Sequence, residues 1–189
     1  MRASAFGTLI LMAAAIAGPA AAELQWDYDK PASECSVGQW FSDILGVSEF
    51  GRSYAVIIGL HRFEDFNPLD ATENDPQRVF EFLRDEAGFD YILMLRDDEV
   101  TYQTLRTLFE FELPNVLEAN DRFLLFWSGH GTQFKNALGD EDGYLPLVSS
   151  ARNNKATMVN MRDLTRWDNE LPAKQVLFCS MRASVASPA

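Results

Sequence analysis

Cysteine and histidine are scarce here, two of each in 189 residues. The cysteines, Cys35 and Cys179, lie far apart and allow at most one disulfide, which nothing in the pattern demands. Of the histidines, His61 has no partner at metal-ligand spacing, so no zinc site is indicated. His61 reads instead as a loop or packing residue just past a strand. Basic residues are also few, 16 against 28 acidic ones, for a formal net charge of -12. Such a chain repels phosphate backbones and has no basic patch with interleaved aromatics, which excludes nucleic acid as a partner. Its acidity favours a cationic substrate or a divalent cation, and fits a solvated acidic surface equally well. Long apolar runs are missing too, because no stretch approaches the roughly 20 residues of a membrane-spanning helix. Internal repeats and low-complexity linkers are absent.

What is present begins with Arg2, an apolar run from Ala5 to Ala17, a Gly18-Pro19 break and the small residues Ala20-Ala21-Ala22. This is the pattern of a signal peptide over residues 1–22. It predicts export to the periplasm or outside the cell, with a product that has no membrane association after cleavage behind Ala22. The remainder is long enough for one α/β domain, and a hydrophobic fraction of 47% fits a globular core.

Residues 23–51 form a lead-in segment with scattered large apolar residues, among them Trp26, Tyr28, Trp40 and Phe50. Tyr54 to Leu60 is a continuous apolar run, the mark of a central strand buried on both faces. Asn74 or Asp75 as cap, Pro76 in the first turn, Val79, Phe80 and Leu83 at helical spacing and Gly88 as stop define a helix. Tyr91 to Leu95 reads as a second strand, Thr101 caps a second helix carrying Leu105, Leu108 and Phe109, and Arg122 to Trp127 is a third strand. An acidic loop, Asp140-Glu141-Asp142-Gly143, leads into a short extended segment. Leu164, Trp167 and Leu171 lie on a helix stopped by Pro172, and Gln175 to Phe178 begins a fourth strand. The alternation predicts an α/β fold with a mostly parallel sheet and helices on both faces.

In such sheets chemistry gathers at the carboxyl ends of the strands. Ser128-Gly129-His130-Gly131 falls there. Two flanking glycines let the backbone turn and leave an imidazole uncrowded, as a general base requires. The tetrapeptide alone fits an ordinary loop histidine as well.

Four ordered motifs carry a resemblance: Tyr54 to Leu60, Asn74-Asp75 opening a helix, Phe126 to Gly131, and Asp142 to Pro146. Together, from Arg52 to Phe178, the chain resembles the caspase-hemoglobinase fold and within it bacterial metacaspase-like peptidases. The resemblance implies a domain over 52–178, a large-subunit part of a three-layer fold incomplete at its C-terminus. It implies a cysteine endopeptidase in which a histidine, matched by His130, assists a thiolate nucleophile. It further implies that Asp75 and Ser128 line the pocket for the residue before the scissile bond. A carboxylate there selects protein or peptide substrates with arginine or lysine at that place; Asp75 as a simple helix cap is the alternative. Calcium activates many metacaspases, which makes Asp140, Glu141 and Asp142 candidate oxygen ligands, although their spacing is not that of an EF-hand. No other cofactor is expected.

The family's nucleophile is expected at position 183, where this chain has Ala183; Cys179 comes four residues early. The tail 179–189 therefore reads as aberrant. Back-translated with permitted codons, and with one nucleotide restored ahead of codon 179, it encodes Leu-Leu-Asp-Ala-Cys-Phe-Ser-Gly, the family's cysteine motif in register. This predicts a frameshift and an inactive product. A noncatalytic peptide-binding protein is the alternative, and a hydrolase using Ser128 or Cys179 with His130 is a third reading.

Overall fold

The structure, a computed structural model, describes residues 24–31, 50–69 and 73–184. The expected signal peptide, Cys35, most of the lead-in segment and residues 185–189 lie outside the described residues.

Seven strands form one mixed sheet. They are β1 (Tyr28–Asp29), β2 (Ser53–Gly59), β3 (Tyr91–Arg96), β4 (Arg122–Lys135), β5 (Glu141–Leu145), β6 (Val159–Asn160) and β7 (Gln175–Ser184). The helices are α1 (Asp75–Asp85), α2 (Tyr102–Thr107), α3 (Leu113–Val116) and α4 (Met161–Glu170). The middle of the sheet, in the order β3-β2-β4-β7, is parallel. β1 joins β3 antiparallel, and β5 and β6 extend the far half of β4 antiparallel.

Every residue of β2 is buried, as its unbroken apolar run predicts for a strand with helices on both sides. Alternation sorts its side chains between two cores. Val56 and Ile58 join Phe123, Leu125 and Trp127 under α2, α3 and α4, while Ala55 and Ile57 join Phe126 under α1. This is a three-layer α/β fold.

Three local expectations change. The first helix has Asn74 as N-cap without a side-chain capping bond, so Asp75 is its first residue and not its cap. It stops at a Glu86 C-cap, with Gly88 at φ 65° just beyond. The second helix is not uniform: α2 passes through a π-turn, Leu108–Glu112, into α3. The acidic segment is not a loop, since Glu141 and Asp142 begin β5.

The π-turn aims Glu110 at α4. Its carboxylate accepts from Arg106 Nη2 at 3.0 Å, Arg166 Nη2 at 2.7 Å and Trp167 Nε1 at 3.3 Å. The Arg106 bond, then those of Arg166 and Trp167, hold its pKa down to about 2. A depressed carboxyl stabilises the fold above its unfolded value, near 4.5, and that contribution drains as pH falls toward about 2. Thermal melts from pH 5 to pH 2 should therefore show a wild-type advantage over Glu110→Gln that shrinks steadily on acidification. A pH-independent gap would contradict this assignment.

Candidate active site

β2 ends at Gly59, whose register partners are Arg96 on one side and Ser128 on the other. A Cβ at Gly59 would run into the ring of Pro76. Glycine is thus what lets the first turn of α1 settle on the carboxyl rim of the sheet, over the neighbour of Ser128. Asp75, in that turn, is half-buried and forms no ion pair among the described residues.

Ser128 and His130 lie two apart on β4 and share the α1 face with Phe126. Here the structure corrects the sequence-based picture. Ser128-Gly129-His130-Gly131 is not a loop after the strand, because β4 runs straight through it to Lys135. Nor is the imidazole uncrowded. His130 is only 4% exposed, with its ring 4.7 Å from that of Phe63 and 5.6 Å from that of Phe66. The segment after β2 folds over it, and the carbonyl of Asn67 lies 2.7 Å from His130 Nε2.

That contact settles which nitrogen is which. A carbonyl oxygen only accepts, so Nε2 carries the proton, and in the neutral ring Nδ1 holds the lone pair. Among the described residues Nδ1 is buried without a hydrogen-bond partner, as is Ser128 Oγ. Leaving such atoms unpaired costs about 1–3 kcal/mol each. An oriented base and an unused hydroxyl therefore lie on one face of β4 without bonding each other.

The adjacent strand decides what can reach that base. In the parallel pairing of β4 with β7, His130 is the register partner of Ala183 and Phe126 that of Cys179. β7 thus continues to Ser184, through the start of the tail that the sequence marks as aberrant. Four residues of strand put Cys179 about 13 Å from the level of His130. It packs half-buried against the core under α1, out of reach for proton transfer. Neither Cys179 nor Ser128 forms a dyad with His130, and position 183 sits beside it.

The acidic residues do not gather. Asp142 pairs with Arg162 Nη2 at 2.6 Å, and along β5 Glu141 and Asp142 alternate faces. Among the described residues no three His, Cys, Asp or Glu side chains are placed to hold a metal ion. Asp140, Glu141 and Asp142 form no such cluster.

The participants missing from the sequence reading are Phe63, Phe66 and Asn67. A backbone carbonyl leaves no side-chain signature. One signal was available: Asn67 precedes Pro68, which confines it to extended backbone and so fixes the direction of its carbonyl.

The Caspase domain family matches residues 52–178. Metacaspase-1 of Saccharomyces cerevisiae is 34% identical over 99 residues, covering 49% of this chain and 23% of that protein. Metacaspase-1 of Kluyveromyces lactis is 31% identical over 101 residues, again covering 49% and 23%. The chain spans about a quarter of the length of these curated relatives. Among solved structures, protein GSU0716 from Geobacter sulfurreducens superposes with a TM-score of 0.56 at 19% identity, over 71% of this chain and 52% of that one.

Proposed function

Since this chain belongs to the caspase domain family, we propose that its site is that of a cysteine endopeptidase cleaving after arginine or lysine, and that the chain itself lacks turnover. The observation that carries the reading is the state of His130, with Nε2–H bonded to Asn67 and Nδ1 unpartnered beside register position 183. A thiol at that position would pass its proton to Nδ1, and the thiolate would attack the peptide carbonyl. Asp75, unpaired at the rim over Gly59, would meet a guanidinium or ammonium group with charge-assisted hydrogen bonds. Ser128 would line the floor of the same pocket.

Alanine at position 183 removes the nucleophile, and loss of one nucleotide near codon 179 accounts for both the alanine and the tail. The pattern of residues 1–22 supports export. Proteolytic activity is expected in a chain whose reading frame is restored ahead of codon 179. With Arg- or Lys-bearing fluorogenic peptides it should turn over, and His130→Ala should cut the rate by about 10²–10⁴-fold. The chain with Ala183 should be inert. Turnover by the Ala183 chain that survives His130→Ala would end this reading. Asp75 and Ser128, retained in a chain with alanine at position 183, also fit a peptide-binding protein; tight binding without turnover in the frame-restored chain would favour it.

A further inference from the structure

The carbonyl that orients His130 belongs to a loop, residues 61–69, held at both ends. Its ends close on each other: His61 Nδ1–H donates to Leu69 O at 2.8 Å, and Leu69 N–H donates to His61 O at 3.0 Å. On one flank Glu64 N–H donates to Val148 O, and Arg152 donates to Asp65 O while its guanidinium lies 4.9 Å from the Phe66 ring. On the other flank is Asp97, just past β3. One carboxylate oxygen accepts from the backbone N–H of His61 at 2.8 Å and of Arg62 at 3.0 Å, and the other accepts from Arg62 Nε at 3.3 Å.

Asp97 has a φ of 41°, the one positive value outside glycine among the described residues. Aspartate tolerates this left-handed region better than most side chains, yet the conformation still costs energy and persists only where the surroundings impose it. Burial pushes its carboxyl up, but the Arg62 and His61 backbone donors and the Arg62 side chain outweigh that and hold it below the usual range. It is therefore a charged acceptor at working pH.

We infer that Asp97 is a positioning residue for His130, acting through loop 61–69: its carboxylate pins the first two N–H groups of the loop, the His61–Leu69 pair closes it, and Asn67 is thereby held where its carbonyl fixes the imidazole. The inference rests on the proposed role of His130 and adds the element that keeps the base in its productive tautomer. Pro68 restricts Asn67, so a displaced loop start carries the carbonyl with it.

The experiment uses the ring N–H protons, which are simple to assign because the chain has two histidines. At pH 8, where an ordinary imidazole is neutral, long-range proton–nitrogen spectra should show the His130 proton on Nε2 and the His61 proton on Nδ1. In Asp97→Ala the Nε2 proton of His130 should exchange with solvent about tenfold faster, the scale of one lost charge-assisted bond. Asp97→Gly should do the same. Because glycine suits the φ at this position, that variant also keeps the test available if Asp97→Ala fails to fold. Asp97→Asn, whose amide oxygen still accepts from both backbone N–H groups, should keep the wild-type rate. Unchanged exchange in the Ala and Gly variants, or acceleration by Asn equal to that by Ala, would overturn the inference. A wild-type His130 proton on Nδ1 would instead overturn the proposed function, whatever the Asp97 variants do.

Discussion

Cysteine introduced at position 183 should react with iodoacetamide at pH 7 about tenfold faster than Cys179 does, and the advantage should vanish in His130→Ala. Register is the reason. Partners in a parallel pair of strands sit about 4.8 Å apart and share a face, and position 183 is the partner of His130. Nδ1 of that histidine has no hydrogen-bond partner among the described residues. An unperturbed thiol is only a few per cent ionised at pH 7, so a neighbouring base that lowers its pKa by about one to two units makes roughly a quarter to three-quarters of it thiolate. The lower intrinsic nucleophilicity of that thiolate offsets part of the gain, which leaves about tenfold. Cys179 has no such help, since its partner is Phe126 and it packs against the apolar cluster under α1. Rates measured in a Cys35→Ser background, with Cys179 alone and with Ala183→Cys in Cys179→Ser, separate the two thiols. Equal rates, or an advantage indifferent to His130→Ala, would mean that the strands do not bring the two positions together. Turnover of peptide is not expected from this substitution alone. Among the described residues β7 has β4 as its sole strand partner.

The largest stability effect should come from Trp167→Ala. The indole is fully buried in the helix layer above the sheet, stacked on Phe109 at 4.9 Å with planes 6° apart. Its Nε1–H donates to Glu110. Removing it leaves a cavity lined by Phe109 and neighbouring core residues, and deletion of a buried tryptophan costs about 3–5 kcal/mol. Against a typical total of about 5–15 kcal/mol that is a large fraction, and for a chain of this size it lowers the melting temperature by about 10–15 °C. Trp167→Phe, which keeps the stacking and loses only the hydrogen bond, should cost much less. A loss of no more than a few degrees in Trp167→Ala would show that the layer above β4 and β7 is looser than described.

The elements came out of the sequence because their signals are local. The apolar run at Tyr54 to Leu60 has nowhere to be but a buried strand, Pro76 fixes the first turn of its helix, and Leu164 and Trp167 share a helical face that needs a sheet beneath it. The π-turn at Leu108–Glu112 was not legible. Its period differs from a regular helix by one residue, and what stabilises it is the contact of Glu110 with Arg166 and Trp167, more than fifty residues away. Nor was the extent of β4, since glycines at 129 and 131 signal a turn in a lone segment. Pairing with β7 on one side and β5 further on holds the strand extended through both.

By itself, the sequence determined the order of strands and helices, the candidate residues Asp75, Ser128 and His130, and the alanine at the position where the resemblance leads one to expect a nucleophile. These follow from side-chain chemistry and short-range periodicity. The tertiary structure alone decided that His130 is buried, that its Nε2 is committed to Asn67 and its Nδ1 left open, that position 183 and not Cys179 stands beside it, and that the acidic residues do not converge. Each of those depends on register and loop closure between segments distant in the chain, and no local pattern encodes a hydrogen bond to a backbone carbonyl 63 residues away.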